Sequence, residues 1–272
     1  MHTETLEIRK IRKDEISLLH EIQPPGWNND LGKVYTLHYG REYFYPIIAL
    51  INTEIVGTGV ATVNDSATWL GNIIVRENYR NKGIGCAITK HLIDFSNTKG
   101  NDTIILTASE LGLPVYTKLG FEHDTYYQFF KSSNEIKIDS VSKSISPIVK
   151  SDYDKIIELD YSISGERRVK LLASTLGTGY KYMEDKIGGY YLPDFGNGLI
   201  LANSEIAGIE LLKYRFSRDS SSICVPETNM AAIDFLKSLG LDQYLEAPRL
   251  FLNKNVNWNP QKVFSRGCGY LG

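Results

Sequence analysis

Residues 75–87 read Val75-Arg76-Glu77-Asn78-Tyr79-Arg80-Asn81-Lys82-Gly83-Ile84-Gly85-Cys86-Ala87. The preceding stretch, Trp69 to Val75, has the apolar character of a strand, and Ile84, Ile88, Leu92 and Phe95 fall on one face of a helix that ends near Lys99-Gly100. The segment is therefore a strand-to-helix bend with two glycines at its helical end. The first turn of a helix carries N–H groups without intrahelical partners and the positive end of the macrodipole, and glycine lets an anion approach with no Cβ in the way. Arg80 and Lys82 add side-chain charge. These residues favour a phosphate-bearing ligand, with an ordinary connecting bend as the plainer alternative. Two familiar phosphate loops fail on spacing, because Gly83-Ile84-Gly85 runs into Cys86-Ala87-Ile88 and so makes neither a P-loop nor Gly-x-Gly-x-x-Gly.

Working outward, Leu6-Glu7-Ile8-Arg9-Lys10-Ile11 alternates as a half-buried strand does, and a helix is expected from Asp14 to Ile22, stopped by Pro24-Pro25-Gly26. Ile47–Ile51 and Glu54–Val63, joined at Asn52-Thr53, read as an antiparallel hairpin. Thr103–Ala108 is a further strand, Pro114–Lys118 a short helix, and Tyr126–Phe130 a last strand before the Ser/Lys/Asp-rich stretch to Ser146. These features predict a domain over 1–132, a linker over 133–146 and a second domain over 147–272. The second part echoes the first: Asp152–Leu159 resembles the first helix, Glu205-Ile206-Ala207-Gly208 resembles Glu54-Ile55-Val56-Gly57, and Phe235–Leu241 resembles Val115–Phe121. Gly57 to Gly120 spans 63 positions and Gly208 to Gly240 only 32, so the second copy is expected to lack a strand and a helix, the region from Trp69 to Thr103.

The spacing that fits, Arg-x-x-Gly-x-Gly from Arg80 to Gly85 behind a strand ending at Val75, resembles the acyl-CoA pyrophosphate loop of the GCN5-related N-acetyltransferases (GNAT). Tyr116-Thr117-Lys118-Leu119-Gly120-Phe121 resembles that family's later Tyr-x-x-x-Gly-Phe motif, in the expected order. The resemblance covers Leu6 to Phe130 well and the remainder loosely. It implies a mixed α/β GNAT fold followed by a shortened GNAT-like domain, acetyl-CoA as co-substrate, and a primary amine of a small molecule or peptide as acceptor. It further implies that Arg80, Asn81, Lys82, Gly83, Ile84, Gly85 and Cys86 hold the pyrophosphate and that Ile73, Ile74 and Val75 offer a strand edge to the pantetheine arm. Tyr116 would protonate the departing thiolate in a direct transfer.

The match has departures. Glu77 stands where a proline is often found, and Glu110 where an Asn commonly precedes the Tyr by six, so Glu110 becomes a side-chain candidate for acid or base. Asn72 occupies a region where some relatives carry Glu, which makes a water chain the first choice of base. Cys86, inside the first helical turn, is read as structural rather than as a nucleophile. Leu236 matches Tyr116 in the second copy, which is therefore expected not to catalyse. Trp27, Tyr35, Tyr39, Tyr126 and Tyr127 are read as packing residues in preference to an amine cage. Competing readings are a non-catalytic acyl-CoA-binding module and transfer of a longer acyl group.

Composition sets the exclusions. The 272 residues are 42% hydrophobic and 23% charged, with 30 Lys+Arg against 32 Asp+Glu. A formal charge of -2 leaves no basic excess for nucleic acid or an anionic membrane. The longest apolar stretch, Tyr43 to Ile51, falls far short of the ~20 residues that span a bilayer. No leader is signalled, and Cys86, Cys224 and Cys268 suit free thiols, so a cytoplasmic location is expected. His2, His20, His38, His91 and His123 include no pair at metal-ligand spacing, and no Gly-x-Ser-x-Gly occurs; neither a metal nor a hydrolase triad is expected.

Overall fold

A computed structural model describes residues 5–25, 27, 30–219 and 222–272; His2 and Gly26 lie outside the described residues. The chain forms two compact units, the first comprising Met1–Val63, Ala67–Glu122 and Leu250–Asn255, the second Asn64–Ser66, His123–Arg249 and Val256–Gly272.

The first unit contains β1 (Leu6–Lys10), α1 (Leu31–His38), β2 (Phe44–Ile51), β3 (Glu54–Val63), β4 (Thr68–Val75), α2 (Ile84–Thr98), β5 (Thr103–Thr107) and α3 (Leu113–Lys118). The strands lie in the order β1-β2-β3-β4-β5, antiparallel except for the parallel β4–β5 pair. Asn52 and Thr53 both take positive φ (50° and 75°), which lets a two-residue turn match the twist of β2 and β3. Ile84, Ile88 and Leu92 of α2 pack on Val56, Ala61, Leu70, Ile104 and Leu106. Gly57 permits this approach, since a Cβ there would lie 2.8 Å from Ile88 Cδ1 and 2.9 Å from the Ile74 carbonyl.

Two details differ from the sequence reading. The first helix is a 3-10 helix, Lys13–Glu21, tied down by Glu15, whose carboxylate accepts from Arg9 at 2.6 Å and from the Arg12 N–H at 2.8 Å. The helix α1 was not anticipated. It is only eight residues long, but Asp30 caps it and Leu31, Tyr35 and His38, at i, i+4 and i+7, are buried.

The second unit contains β6 (Glu122–Lys131, from His123 onward), β7 (Ile145–Pro147), α4 (Tyr153–Ser164), α5 (Val169–Ala173), β8 (Tyr180–Met183), β9 (Ile187–Leu192), β10 (Leu199–Ala202), α6 (Glu205–Phe216), β11 (Ile223–Pro226), α7 (Met230–Ser238), β12 (Asp242–Asn253) and β13 (Val263–Ser265). One sheet runs β13-β10-β9-β8-β7; β6 lies between β12 and β11 and is antiparallel to β11. Leu250–Asn253, the end of β12, belongs to the first unit. The expected boundary at 132 thus sits past the actual division, because β6 pairs through Tyr127–Phe130 with β11 rather than closing the first unit. Residues 133–146 are no free linker: Ile136, Ile138 and Ile145 rest on the core built around Phe130, Leu211, Leu236 and Phe264. Their polar neighbours hid these spaced isoleucines.

The element order of the second unit parallels that of the first, but Glu205–Gly208 does not match a strand. That segment opens α6, capped by the Ser204 side chain, with Ala207, Leu211, Leu212 and Phe216 buried at helical spacing. The succession β10-α6-β11-α7 repeats β4-α2-β5-α3, so strand and helix are both retained. What shrinks is their connection, from Arg76–Gly83 to Asn203–Ser204.

The Arg9 side chain beside Glu15 holds that carboxyl at about 2, below its ordinary 4.5. A depressed carboxylate stabilises the fold fully above its ordinary pKa and loses that contribution as pH falls from about 5 towards 2. Glu15→Gln is therefore expected to lower stability by about 1–3 kcal/mol at neutral pH. In urea denaturation the two proteins should converge near pH 2; a constant gap at every pH would refute this origin.

Candidate active site

The strand β4 is a regular partner of β3 up to Leu70, where the register shifts between Thr58 and Val60. Asn72 takes φ 51° in this bulge. Pairing with β5 covers only Thr68–Leu70 against Ile104–Leu106. Beyond that point Ile74 and Val75 pair with Thr58 and Gly57 on the β3 side, leaving the other edge of β4 to receive an extended partner.

Directly after this edge comes the bend. Glu77–Tyr79 forms a 3-10 turn, Asn81 and Gly83 take left-handed φ of 62° and 80°, and α2 then runs for 15 residues. Gly83 is the N-cap and supplies no side-chain hydrogen bond; the first intrahelical bond runs from the Ala87 N–H to the Gly83 carbonyl. The preceding N–H groups of this helix are left to an outside acceptor. A Cβ at Gly83 would meet nothing within 4 Å, so the approach is open. Arg80 Nε donates to the Val75 carbonyl at 3.2 Å, which holds the guanidinium at the strand end, and Lys82 Nζ stands 5.0 Å from the Tyr79 ring centroid. An uncapped N-terminus, two left-handed residues and two cations form an arrangement that could receive a phosphate or pyrophosphate.

Tyr116 lies in α3, 7% exposed, edge-on to Phe121 at 5.8 Å. Burial pushes its phenol up to about 12, so it stays protonated through the ordinary pH range. Gly112 underlies the ring: a Cβ there would sit 2.7 Å from Tyr116 Cε2.

These features match a known family. The description acetyltransferase (GNAT) family matches residues 12–121. Residues 12–121 thus carry the pattern of the GNAT acetyltransferases. Over 50 residues it is 42% identical to glucosamine 6-phosphate N-acetyltransferase of Trypanosoma brucei brucei, a match covering 18% of this chain and 34% of that enzyme. A Pyrococcus horikoshii structure assigned as an acetyltransferase aligns over 100% of this chain and 98% of its own, with TM-score 0.85 and 19% identity. A GCN5-related N-acetyltransferase from Sphaerobacter thermophilus aligns over 97% of each chain, with TM-score 0.63 and 12% identity. At these identities the structures establish the GNAT fold. Members of this family use acetyl-CoA.

The remaining sequence candidates fall variously around this GNAT framework. Glu110 is exposed in the turn before α3. Cys86 is partly buried in the first turn of α2, and the three cysteines form no disulfide. Tyr35 is fully buried with its hydroxyl 3.0 Å from Thr58 Oγ1, and Tyr127 is packed under Arg266, whereas Trp27 is 42% exposed. Tyr35 and Tyr127 are therefore packing residues, as expected. Among the described residues no group of three His, Cys, Asp or Glu is placed to hold a metal, and no helix is long and apolar enough to cross a membrane.

The sequence reading weighed Asn72 only as a residue standing in place of a carboxylate and passed over Thr107. Asn72 Nδ2 and Thr107 Oγ1 are buried without a hydrogen-bond partner among the described residues. Both lie just past the last β4–β5 pair, where a buried donor without a partner marks a position completed by a ligand or water. An Asn in a strand-like sequence, the residue after glycine to accept positive φ most readily, was the available signal.

Gly112→Ala sets a methyl 2.7 Å from the buried Tyr116 ring and is expected to displace it and to lower stability by about 1–3 kcal/mol. Urea denaturation beside the wild type tests this; an unchanged midpoint would show that the ring has room to move.

Proposed function

We propose that this GNAT protein transfers an acetyl group from acetyl-CoA to a primary amine of a small molecule or peptide by direct attack. The observation that carries the reading is the uncapped, open N-terminus of α2 adjoining the unpaired edge of β4. In this reading the N–H groups from Arg80 to Cys86, with the Arg80 and Lys82 side chains, bind the pyrophosphate, and Ile73–Val75 pair with the pantetheine arm. That edge delivers the thioester to the bulge.

The neutral amine nitrogen attacks the thioester carbonyl carbon; a C–N bond forms, the C–S bond breaks, and the carbonyl oxygen carries negative charge in between. A backbone N–H near Ile74 or Val75 stabilises that oxygen. Tyr116 offers its proton to the leaving sulfur. Because its pKa of about 12 exceeds the ~8.5 of an ordinary thiol, complete transfer runs uphill, and hydrogen bonding to the developing thiolate is the larger part of its role. The amine proton leaves through water, with Glu110 as the side-chain candidate for receiving it. Amino sugars and their phosphates head the acceptor panel, on the strength of the similarity to glucosamine 6-phosphate N-acetyltransferase.

Three variants separate the roles. Gly83→Asp, and likewise Gly85→Asp, is expected to weaken CoA binding at least a hundredfold in titration calorimetry, by setting negative charge against the pyrophosphate; unchanged affinity would overturn the loop assignment. Tyr116→Phe should retain CoA affinity while lowering thiol release from acetyl-CoA about 10²- to 10⁴-fold. CoA binding by the wild type without turnover on any amine would instead favour a binding module.

A further inference from the structure

The turn that leads into the loop before α2 is held from outside by the Glu54 carboxylate, which takes both of its ends. Glu54, first residue of β3, accepts a hydrogen bond from Tyr79 Oη at 2.8 Å through one oxygen and pairs with Arg76 Nη1 through the other. Arg76 precedes the 3-10 turn Glu77–Tyr79, and Tyr79 is its last residue. Arg76 is further anchored by its N–H to the Val56 carbonyl at 2.8 Å and by Nη2 to Glu21 at 3.0 Å, so β3 and the end of the first 3-10 helix meet on one guanidinium. The Tyr79 ring in turn lies 5.0 Å beneath Lys82 Nζ. Glu54 therefore reaches one of the two loop cations through a chain of two contacts, although it lies 22 residues before Arg76 and outside every motif.

We infer that Glu54 is a positioning residue for acyl-CoA: it fixes the Arg76–Tyr79 turn so that the amides at the start of α2 and the Lys82 ammonium are set before the pyrophosphate arrives. The inference rests on the CoA reading of the loop and deepens it. A proline at the turn's first position would supply the same stiffness by restricting the backbone. The geometry there accepts one. Arg76 has φ -50° and ψ 136°, the extended shape a residue before proline requires, and Glu77 opens the turn, where a proline is tolerated. Glu77 occupies this position, so stiffness comes from the side-chain clamp rather than from a ring.

The clamp is partly exposed, with Arg76 and Glu54 side chains 25% and 42% accessible, so its loss should barely move the melting temperature. Its effect belongs on ligand affinity, because a disordered loop must be ordered at the expense of binding. The experiment compares wild type, Glu54→Ala, Tyr79→Phe and the double variant Glu54→Ala/Glu77→Pro by CoA titration calorimetry and by acetyl-CoA kinetics. Expected is a five- to twentyfold rise in Kd for CoA and in KM for acetyl-CoA in Glu54→Ala, a smaller rise in Tyr79→Phe, and kcat within twofold of wild type in both. Adding Glu77→Pro should return Kd to within about threefold of wild type, which a merely structural role for Glu54 does not predict. Unchanged affinity in Glu54→Ala, or a double variant that binds no better than the single one, overturns the inference while leaving the CoA reading intact. Failure of the wild type to bind CoA overturns both.

Discussion

Everything distinctive in the first unit depends on a helix that begins without a cap. The first N–H groups of a helix need acceptors; side chains provide one for α1 (Asp30), α6 (Ser204) and α7 (Asn229), whereas α3, α4 and α5 begin, like α2, without a side-chain cap. The helix α2 starts on Gly83 with none, and it is the longest helix, with the largest aligned dipole. Leaving that end open costs stability, which an anion bound there would offset. The bulge at Asn72 and the early end of β4–β5 pairing are the complementary expense in the sheet, giving up ladder bonds to expose a strand edge beside the helix end.

The second unit displays the same framework with that expense removed. Its β10 runs into α6 through Asn203 and Ser204 alone, and the Ser204 hydroxyl accepts the Ala207 N–H at 3.2 Å, satisfying the helix end from within the chain. Leu236, fully buried, stands where Tyr116 stands in the first unit. Gly120 and Gly240 take φ of 89° and 77° after α3 and α7, so the same left-handed turn follows both helices. A duplicated architecture in which one copy closes its helix end is consistent with a single site of chemistry in the first.

Much of this was legible in the sequence because local signals carried it. The alternation in Leu6–Lys10, the polar Asn52-Thr53 between two β-branched runs, and the apolar stripe of α2 each follow from neighbours a few residues apart. The glycines of the bend and the Tyr116 motif likewise announce themselves locally. What escaped depends on distant partners. Four residues, Glu205–Gly208, look the same at the start of a helix and in a strand, and only the burial of Leu211 and Phe216 decides between them. The pairing of β6 with β11, roughly a hundred residues away, moved the unit boundary without any change in composition to mark it. Asn72, Glu54 and the isoleucines at 136, 138 and 145 are ordinary residues until the fold supplies their neighbours.

The most direct test of the central claim is a crystal structure of the protein grown with acetyl-CoA. Expected are pyrophosphate oxygens within hydrogen-bonding distance of the amides from Gly83 to Cys86, with the pantetheine arm running beside Ile73–Val75 as an added strand and the thioester next to Asn72. A saturating ligand bound elsewhere, with the N-terminus of α2 facing only solvent, would contradict it.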